Sequence, residues 1–470
     1  MDSAQFGVEV VVLAIVAREL IAAAAVGVAV IGIDDLFVDG AYFFRRFWRS
    51  LTVYRRRDRM TADRLGPPER PGAMAILVPA WDEAAVIGQM LRGALARLDH
   101  EDYRIFVGVY PNDPATAEAV AAIGDGRILQ VSTPVVGPTT KADCLNHLWR
   151  AMRAEEVRSG KRFKAVVLHD AEDVVHSAEL RLFDRLIERF DLVQLPVLPL
   201  HDPRSRWIGG HYLDEFAEAH GKDLVVREAM GAAVPSAGVG CAIARHALDR
   251  IAAGNRGVPF DEASLTEDYE LGLKIGMLGG RGIIVRMPGA AGHLTVATRE
   301  HFPVTLDAAV RQKARWLTGI ALAGWDRLGW QGGIVEHYWR LRDRKAVIGA
   351  LVTLLAYTAA LLTGAVIVFG WTTGGATALP VLVVEDGWLS QLLLFNAGLL
   401  AWRLLMRFGC TARAYGWREG LRAPPRAVVA NLISILACFR ALHGFSRSSG
   451  GARPVWDKTE HRFPGLLPAE

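Results

Sequence analysis

The sequence predicts an α/β domain built on a largely parallel sheet, joined to α-helical transmembrane segments and interfacial helices. Three observations carry that prediction. Short β-rich runs alternate with amphipathic helical stretches between Pro71 and about Gly292, the pattern of strands crossing to helices and back. Long apolar runs lie on either side of this block, and each is long enough to cross a bilayer. Arginines crowd particular flanks of those runs, and such asymmetry orients membrane proteins with their basic loops in the cytosol. A composition of 51% hydrophobic and 22% charged residues over 470 positions then requires apolar and polar material to be segregated along the chain.

The first apolar run, Val10 to Ile33, spans 24 residues, about 36 Å as a helix against a hydrocarbon core of about 30 Å. Asp2 and Glu9 precede it without Lys or Arg, so it lacks the positive start of a cleaved signal peptide and reads as a retained anchor. Arg18 and Glu19 within it are costly in lipid and are expected to face other helices or the interface. Arg45, Arg46, Arg49, Arg55 to Arg57, Arg59, Arg64 and Arg70 follow, placing the next segment in the cytosol. Residues 1–40 are therefore assigned to a transmembrane helix and 41–70 to a basic linker.

Ala73 to Val78, Arg104 to Tyr110, Arg127 to Thr133 and Phe163 to His169 read as strands; Ala84 to Leu98 and Lys141 to Val157 read as helices. Such sheets bind ligands at the carboxyl ends of their strands, where loops gather polar groups. This domain is assigned to 71–300, and interfacial helices to 301–345. Ala346 to Trp371 and Trp388 to Met406 read as two further spans, joined by a loop that holds Glu385 and Asp386 but no basic residue, hence periplasmic. Ala427 to Phe445 is interrupted by Asn431, Ser434, Arg440 and His443 and reads as interfacial, within a membrane block of 346–445 followed by a cytosolic tail of 446–470. Net charge is +4 from 54 basic and 50 acidic residues, which excludes the concentrated basic face of a nucleic-acid binder. Cys144, Cys241, Cys410 and Cys438 are too dispersed for a disulfide framework or zinc site.

Polar motifs sit where the sheet would gather them. Neither GxGxxG nor GxxxxGK[ST] occurs, so a nucleotide would be held another way. Asp170-Ala171-Glu172-Asp173 ends the fourth strand; such carboxylates can share a divalent cation that bridges a diphosphate, or form a solvated acidic turn. Asn112-Asp113 follows the second strand, and Lys141 opens a helix. The carboxylate can accept from a base or ribose and the lysine can meet a phosphate, although taken alone Asn112-Asp113-Pro114 is explained more simply by a capped turn. Thr266-Glu267-Asp268 precedes an amphipathic helix, where one polar residue serves as a cap and a carboxylate can take a proton from an acceptor hydroxyl. Gln312, Arg315 and Trp316 share one side of a helix at i, i+3 and i+4. Together they present a guanidinium to a diphosphate and an indole to a sugar, or anchor the helix at the membrane surface.

In this order the motifs resemble the processive family-two glycosyltransferases, the group of cellulose, chitin and hyaluronan synthases, with their D, DxD, TED and QxxRW pattern. The resemblance implies a GT-A (Rossmann-like) glycosyltransferase domain that transfers sugar from a UDP-sugar donor to a growing polysaccharide with inversion. By it, Asp82, Glu83, Asp113, Lys141 and Asp170 bind the nucleotide sugar, and Asp170 with Glu172 or Asp173 holds Mg²⁺ or Mn²⁺. Asp268 is the general base beside Glu267, Gln312 and Arg315 serve the diphosphate, and Trp316 with Gly238, Val239 and Gly240 serves the acceptor.

A closer resemblance, to the bacteriophage adsorption protein B type, rests on Ile33-Asp34-Asp35-Leu36-Phe37-Val38-Asp39, Tyr110 to Pro114, Leu168 to Val174, Asp214-Glu215-Phe216-Ala217, Pro235 to Gly240 and Val455-Trp456-Asp457-Lys458-Thr459. It implies a multi-pass enzyme of the bacterial inner membrane that makes an exopolysaccharide of N-acetylhexosamine units and works with an outer-membrane secretion partner. Longer members carry a cyclic-di-GMP-binding domain after the last motif. With the sequence reaching Glu470, such control is expected to be absent or supplied by another protein. Two other readings stay open: a single-transfer enzyme acting on polyprenyl phosphate, and a non-catalytic secretion or phage-adsorption component.

Overall fold

The computed structural model describes residues 3–289, 295–372, 381–448 and 462–465. The Val455 to Thr459 motif, most of the 446–470 tail and residues 373–380 lie outside them. One mixed sheet forms the domain, with strands β1 (Met74–Pro79), β2 (Tyr103–Val109), β3 (Ile128–Ser132), β4 (Ala165–Leu168), β5 (Leu192–Gln194), β6 (Cys241–Ala244) and β7 (Gly282–Ile284) in the order β3-β2-β1-β4-β6-β5-β7. β1 pairs in parallel with β2 and β4, and β6 runs antiparallel to both β4 and β5. This is a GT-A-like mixed sheet. Every residue of β1 and β4 is buried, as expected of strands covered by helices on both faces. The four expected strands occur within about two residues of their expected ends; β5, β6 and β7 were not foreseen, being only three or four residues long.

The helices, in chain order, are α1 (Ser3–Thr52), α2 (Ile87–Arg97), α3 (Pro114–Ala121), α4 (Lys141–Ser159), α5 (Glu179–Leu186), α6 (Ile208–Glu218), α7 (Leu224–Ala229), α8 (Arg245–Gly254), α9 (Glu267–Met277), α10 (Leu306–Trp316), α11 (Gly324–Leu328), α12 (Ile334–Arg344), α13 (Ala346–Thr372), α14 (Trp388–Tyr415) and α15 (Trp417–Ser448). α6 and α10 each run on into a π-helical turn, Ala219–Asp223 and Leu317–Ala323.

Among the described residues four helices, α1, α13, α14 and α15, are long and apolar enough to cross a membrane. α1 runs unbroken for 50 residues, so the basic linker begins as helix. Arg18 and Glu19 pair with each other at 2.9 Å on its exposed side instead of facing a neighbouring helix. The interfacial reading of Ala427 to Phe445 meets a helix with the length and composition of a fourth span. Its contacts keep it near the domain: Arg426 binds Asp214 of α6 at 2.8 Å, Ala437 and Ala441 pack on Ala314 of α10, and Cys438 lies against Val347 in the first turn of α13.

Domain and helices are joined through buried charge. Asp39 of α1 binds Lys222, which also donates to Glu218 at 2.8 Å, and Trp402 of α14 donates to Asp39 at 2.9 Å. Arg403 of α14 closes the group on Glu218. Burial alone would lower the Lys222 ammonium, but Asp223 and Glu218 hold its pKa above the ordinary lysine value. Asp34 and Asp35 pair with Arg342 and Lys345 where α12 meets α13. In α6, Asp214 takes Arg426 and Thr411, and Glu215 takes Lys313 of α10 at 2.6 Å. The Ile33 to Asp39 and Asp214 to Ala217 motifs are thus the joint between the two blocks.

Removing one member of a buried pair leaves the other charged and desolvated. Lys222→Met is therefore expected to cost about 3–5 kcal/mol of stability, and Arg162→Gln, at a pair with one side chain 64% exposed, to cost under about 1 kcal/mol. Thermal unfolding of both purified variants checks the contrast.

Candidate active site

The carboxyl ends of β1 and β4, the start of α4, the turn into α9 and the end of α10 converge on one cavity of about 150 Å³. Glu83, Lys141, Asp170, Glu172, Val239, Glu267, Asp268, Gln312, Arg315 and Trp316 all line it, so residues separated by more than 200 positions meet there. Asp82, Asp113, Asp173, Gly238 and Gly240 do not, and each has a role in the walls. Asp113 caps α3, accepting from Thr116 N at 3.2 Å, and its other oxygen accepts from Asp82 N at 2.6 Å, which ties the loop after β1 to that after β2.

Asp173 turns away from the cavity. Its carboxylate accepts from Asp170 N at 3.1 Å and meets His169 Nδ1 at 2.7 Å, and His169 Nε2 meets Glu179 at 2.6 Å. Burial would discharge the imidazole, yet the carboxylates on either side raise its pKa to about 10. Of the three carboxylates expected to share a cation, Asp170 and Glu172 remain on the cavity wall, joined by Glu300, which the sequence reading missed. Burial and the charges of Asp173, Glu172 and Asp170 hold the Glu300 carboxyl far above its ordinary value. The available signal was a carboxylate in the short polar stretch leading from the sheet to α10.

Lys141, the first residue of α4, pairs with Asp170 at 2.6 Å. Burial opposes its charge, but Asp170, Glu267 and Asp268 raise its pKa above the ordinary range. Burial, then the neighbouring Asp268 charge, raise Glu267 to about 7. Asp268 is also raised, by burial first and by Asp170, while Lys141 and Arg315 pull it down. Asp268 Oδ1 accepts from Tyr269 N at 2.7 Å, and the Thr266 side chain makes no cap bond, so Oδ1 of Asp268 satisfies a first-turn N–H of α9.

Gly238 has φ +78°, and a Cβ there would lie 3.0 Å from Cβ of Asp268. Only glycine lets this turn, with Gly240 at φ +54° leading into β6, pass so close to the acidic turn. At the other side, a Cβ on Gly319 would lie 2.6 Å from Thr266 Cγ2, so the π-helical turn after Trp316 docks directly on the Thr266-Glu267-Asp268 turn. Trp316 sits edge-on to Tyr212 at 6.3 Å and against Phe216 at 6.3 Å, in the cavity wall, where the alternative of a lipid anchor would have put it outward.

Among the described residues, no group of three His, Cys, Asp or Glu side chains is gathered closely enough to hold a metal by protein ligands alone. Magnesium-type cations use one or two carboxylates and complete their shell with phosphate oxygens and water. The Asp170 and Glu172 carboxylates, facing space where Lys141 supplies the nearest cation, fit that donor set.

Residues 71–319 match the model described as "Glycosyltransferase like family 2". The chain belongs to that family. The glycosyltransferase is also 39% identical over 456 residues to the "Bacteriophage adsorption protein B" of Escherichia coli K12 and to the "Bacteriophage N4 adsorption protein B" of Escherichia coli O157:H7. Those alignments take in 93% of this chain and 60% of each relative, so the chain spans about three fifths of the curated relatives it matches. Among solved structures it is similar to a mannosyltransferase from Pyrobaculum calidifontis in complex with GDP-Man and Mn²⁺, at 17% identity and a TM-score of 0.49, covering 88% of this chain and 99% of that one.

The charged His169 gives a pH signature. Its folded pKa lies above the ordinary value of 6.5, so its contribution to stability is complete below about 6.5 and is lost as pH rises toward about 10. The glycosyltransferase is expected to lose unfolding temperature between pH 7 and 10, and His169→Asn to start lower and show a flatter profile over that window. Thermal melts across the range test this.

Proposed function

We propose that the protein is a processive, inverting glycosyltransferase that extends an exopolysaccharide from a UDP-sugar, an N-acetylhexosamine, at the cytosolic face of a bacterial inner membrane. The observation that carries this reading is the single cavity in which Lys141, Asp170, Glu267, Asp268, Arg315 and Trp316 meet. Asp268 accepts the proton of the acceptor hydroxyl as its oxygen attacks the anomeric carbon; the bond to the diphosphate breaks on the opposite face and UDP leaves. Arg315 and Lys141 offset the charge gathering on that leaving group. Mg²⁺ or Mn²⁺ at Asp170 and Glu172 would supply further charge neutralisation on the diphosphate. Trp316, braced by Tyr212 and Phe216, gives the acceptor sugar a flat apolar face, with Val239 beside it.

The orientation is supported by the arginines that follow the first span and precede α13, and by a domain that packs on the same ends of the helices. The polysaccharide assignment and an outer-membrane partner rest on what the resemblance of the sequence motifs implies. A product of one sugar on a polyprenyl phosphate would replace the processive reading, and absence of UDP release would favour the non-catalytic one.

Asp268→Asn keeps the side chain's shape and removes the base, so transfer should fall by roughly 10²- to 10⁴-fold while donor binding persists. Trp316→Ala should abolish polymer and leave slow UDP-sugar hydrolysis. Normal polymer per folded enzyme from either variant would remove that residue from the mechanism. A second expectation concerns pH. The base works only when ionised, and burial raises the Asp268 carboxyl, as it does that of Glu267, so the transfer rate should still climb with pH above the ordinary aspartate range. Because Lys141 holds both carboxyls down, Lys141→Met should move the half-maximal pH upward; a pH-rate profile with an unmoved midpoint would refute the pairing.

A further inference from the structure

A second, larger cavity of about 810 Å³ lies between the domain-side continuation of α1, the end of α14 and the loop after β5. Eight arginines line it, against Asp58 as the single carboxylate among its lining residues. Part of that charge is used inside the protein. Arg45 pairs with Glu228 at 3.7 Å, Arg286 donates to Gly221 O at 2.5 Å, and Arg299 donates to Thr295 O at 3.0 Å. The rest is not. Among the described residues, the guanidinium groups of Arg46, Arg57 and Arg413 have neither a hydrogen bond nor an ion pair, and Arg49 Nε is a buried donor without an acceptor.

Guanidinium groups that share one concavity focus positive potential and repel one another unless an anion enters. The volume suits a bound small molecule, for which pockets run from about 300 to 1,000 Å³. A lone carboxylate would offset one charge. Phosphates carry more charge and more acceptor oxygens, and arginine forks engage them two bonds at a time. We propose that this cavity is a binding site for a phosphate- or diphosphate-bearing ligand, distinct from the catalytic cavity and independent of the sugar transferred there.

The two cavities share a wall one residue thick. Pro196 and Leu198 face the basic cavity and Val197 the catalytic one; Arg299 faces the first and Glu300 the second. The ligand has two sources. It can be a free phosphate compound, or the headgroup of a lipid whose chains lie along the aromatic side chains that α1 exposes beside the arginines, Phe43, Phe44, Phe47 and Trp48.

The test uses the full chain in phosphatidylcholine nanodiscs with EDTA present, so that the catalytic carboxylates have no cation to hold an anion. Pyrophosphate is titrated calorimetrically into wild type, Arg46→Gln/Arg413→Gln and Arg315→Gln. In parallel, phosphatidylglycerol retained through purification from mixed membranes is quantified. Saturable pyrophosphate binding that weakens at least about tenfold in the double variant and persists in Arg315→Gln supports a free phosphate ligand. Phosphatidylglycerol retained by wild type and lost by the double variant supports the headgroup. Binding lost in Arg315→Gln would put the anion in the catalytic cavity, and wild type and double variant alike in both arms would leave the basic cavity without a ligand; either overturns the proposal. If the double variant does not fold, Arg57→Gln, in the exposed turn after α1, carries the same comparison.

Discussion

The buried group formed by Lys222, Asp39 and Glu218 sets the position of everything else. Lys222 belongs to the π-helical turn that extends α6, Asp39 to the first membrane-type helix, and Glu218 to α6, with Trp402 and Arg403 of α14 completing the set. Ion pairs at zero exposure are poor sources of net stability, because desolvation consumes most of the attraction. Their geometry is demanding, however: a shift by one helical turn strands a charge in apolar surroundings. The same logic repeats at Asp34 and Asp35 with Arg342 and Lys345, and at Asp214 with Arg426. The domain therefore meets the helices in one register, and the cavity, whose walls come from both, keeps one shape.

Within that cavity the balance of charge is deliberately uneven. Five carboxylates, Glu83, Asp170, Glu172, Glu267 and Asp268, are joined by Glu300, and the basic side chains on the same wall are Lys141 and Arg315. Burial, and after it the excess of acid, raises Glu267 and Glu300, and that excess leaves room for positive charge brought in with a diphosphate. On the other side of a single residue layer the imbalance has the opposite sign.

The central strands were legible because β1, β4 and, after Arg104, β2 are continuous apolar runs buried on both faces, a signal carried by the residues themselves. β5, β6 and β7 were not, since three or four residues show no periodicity and their strand state depends on pairing with neighbours far along the chain. The site followed the same division. Asp170, Asp268, Arg315 and Trp316 stand in short motifs at element ends and were found. Glu300 has no motif and enters only because Thr298 bridges to Val197 and Arg299 to Val174. Asp173 reads like its neighbours in sequence, and nothing local reveals that His169 draws it inward. The aspartates of Ile33 to Asp39 stood out as a pattern without a task, because their partners lie some 180 to 370 positions away.

The contact between Gly319 and Thr266 also bears on how such a protein can change over generations. A side chain at 319 has no space unless the residue at 266 shrinks, so the two positions are free to vary only together, although they belong to different blocks of the molecule. A membrane portion exchanged between relatives would function only if it arrived with its own small residue there, and recombination between the two blocks is correspondingly narrow.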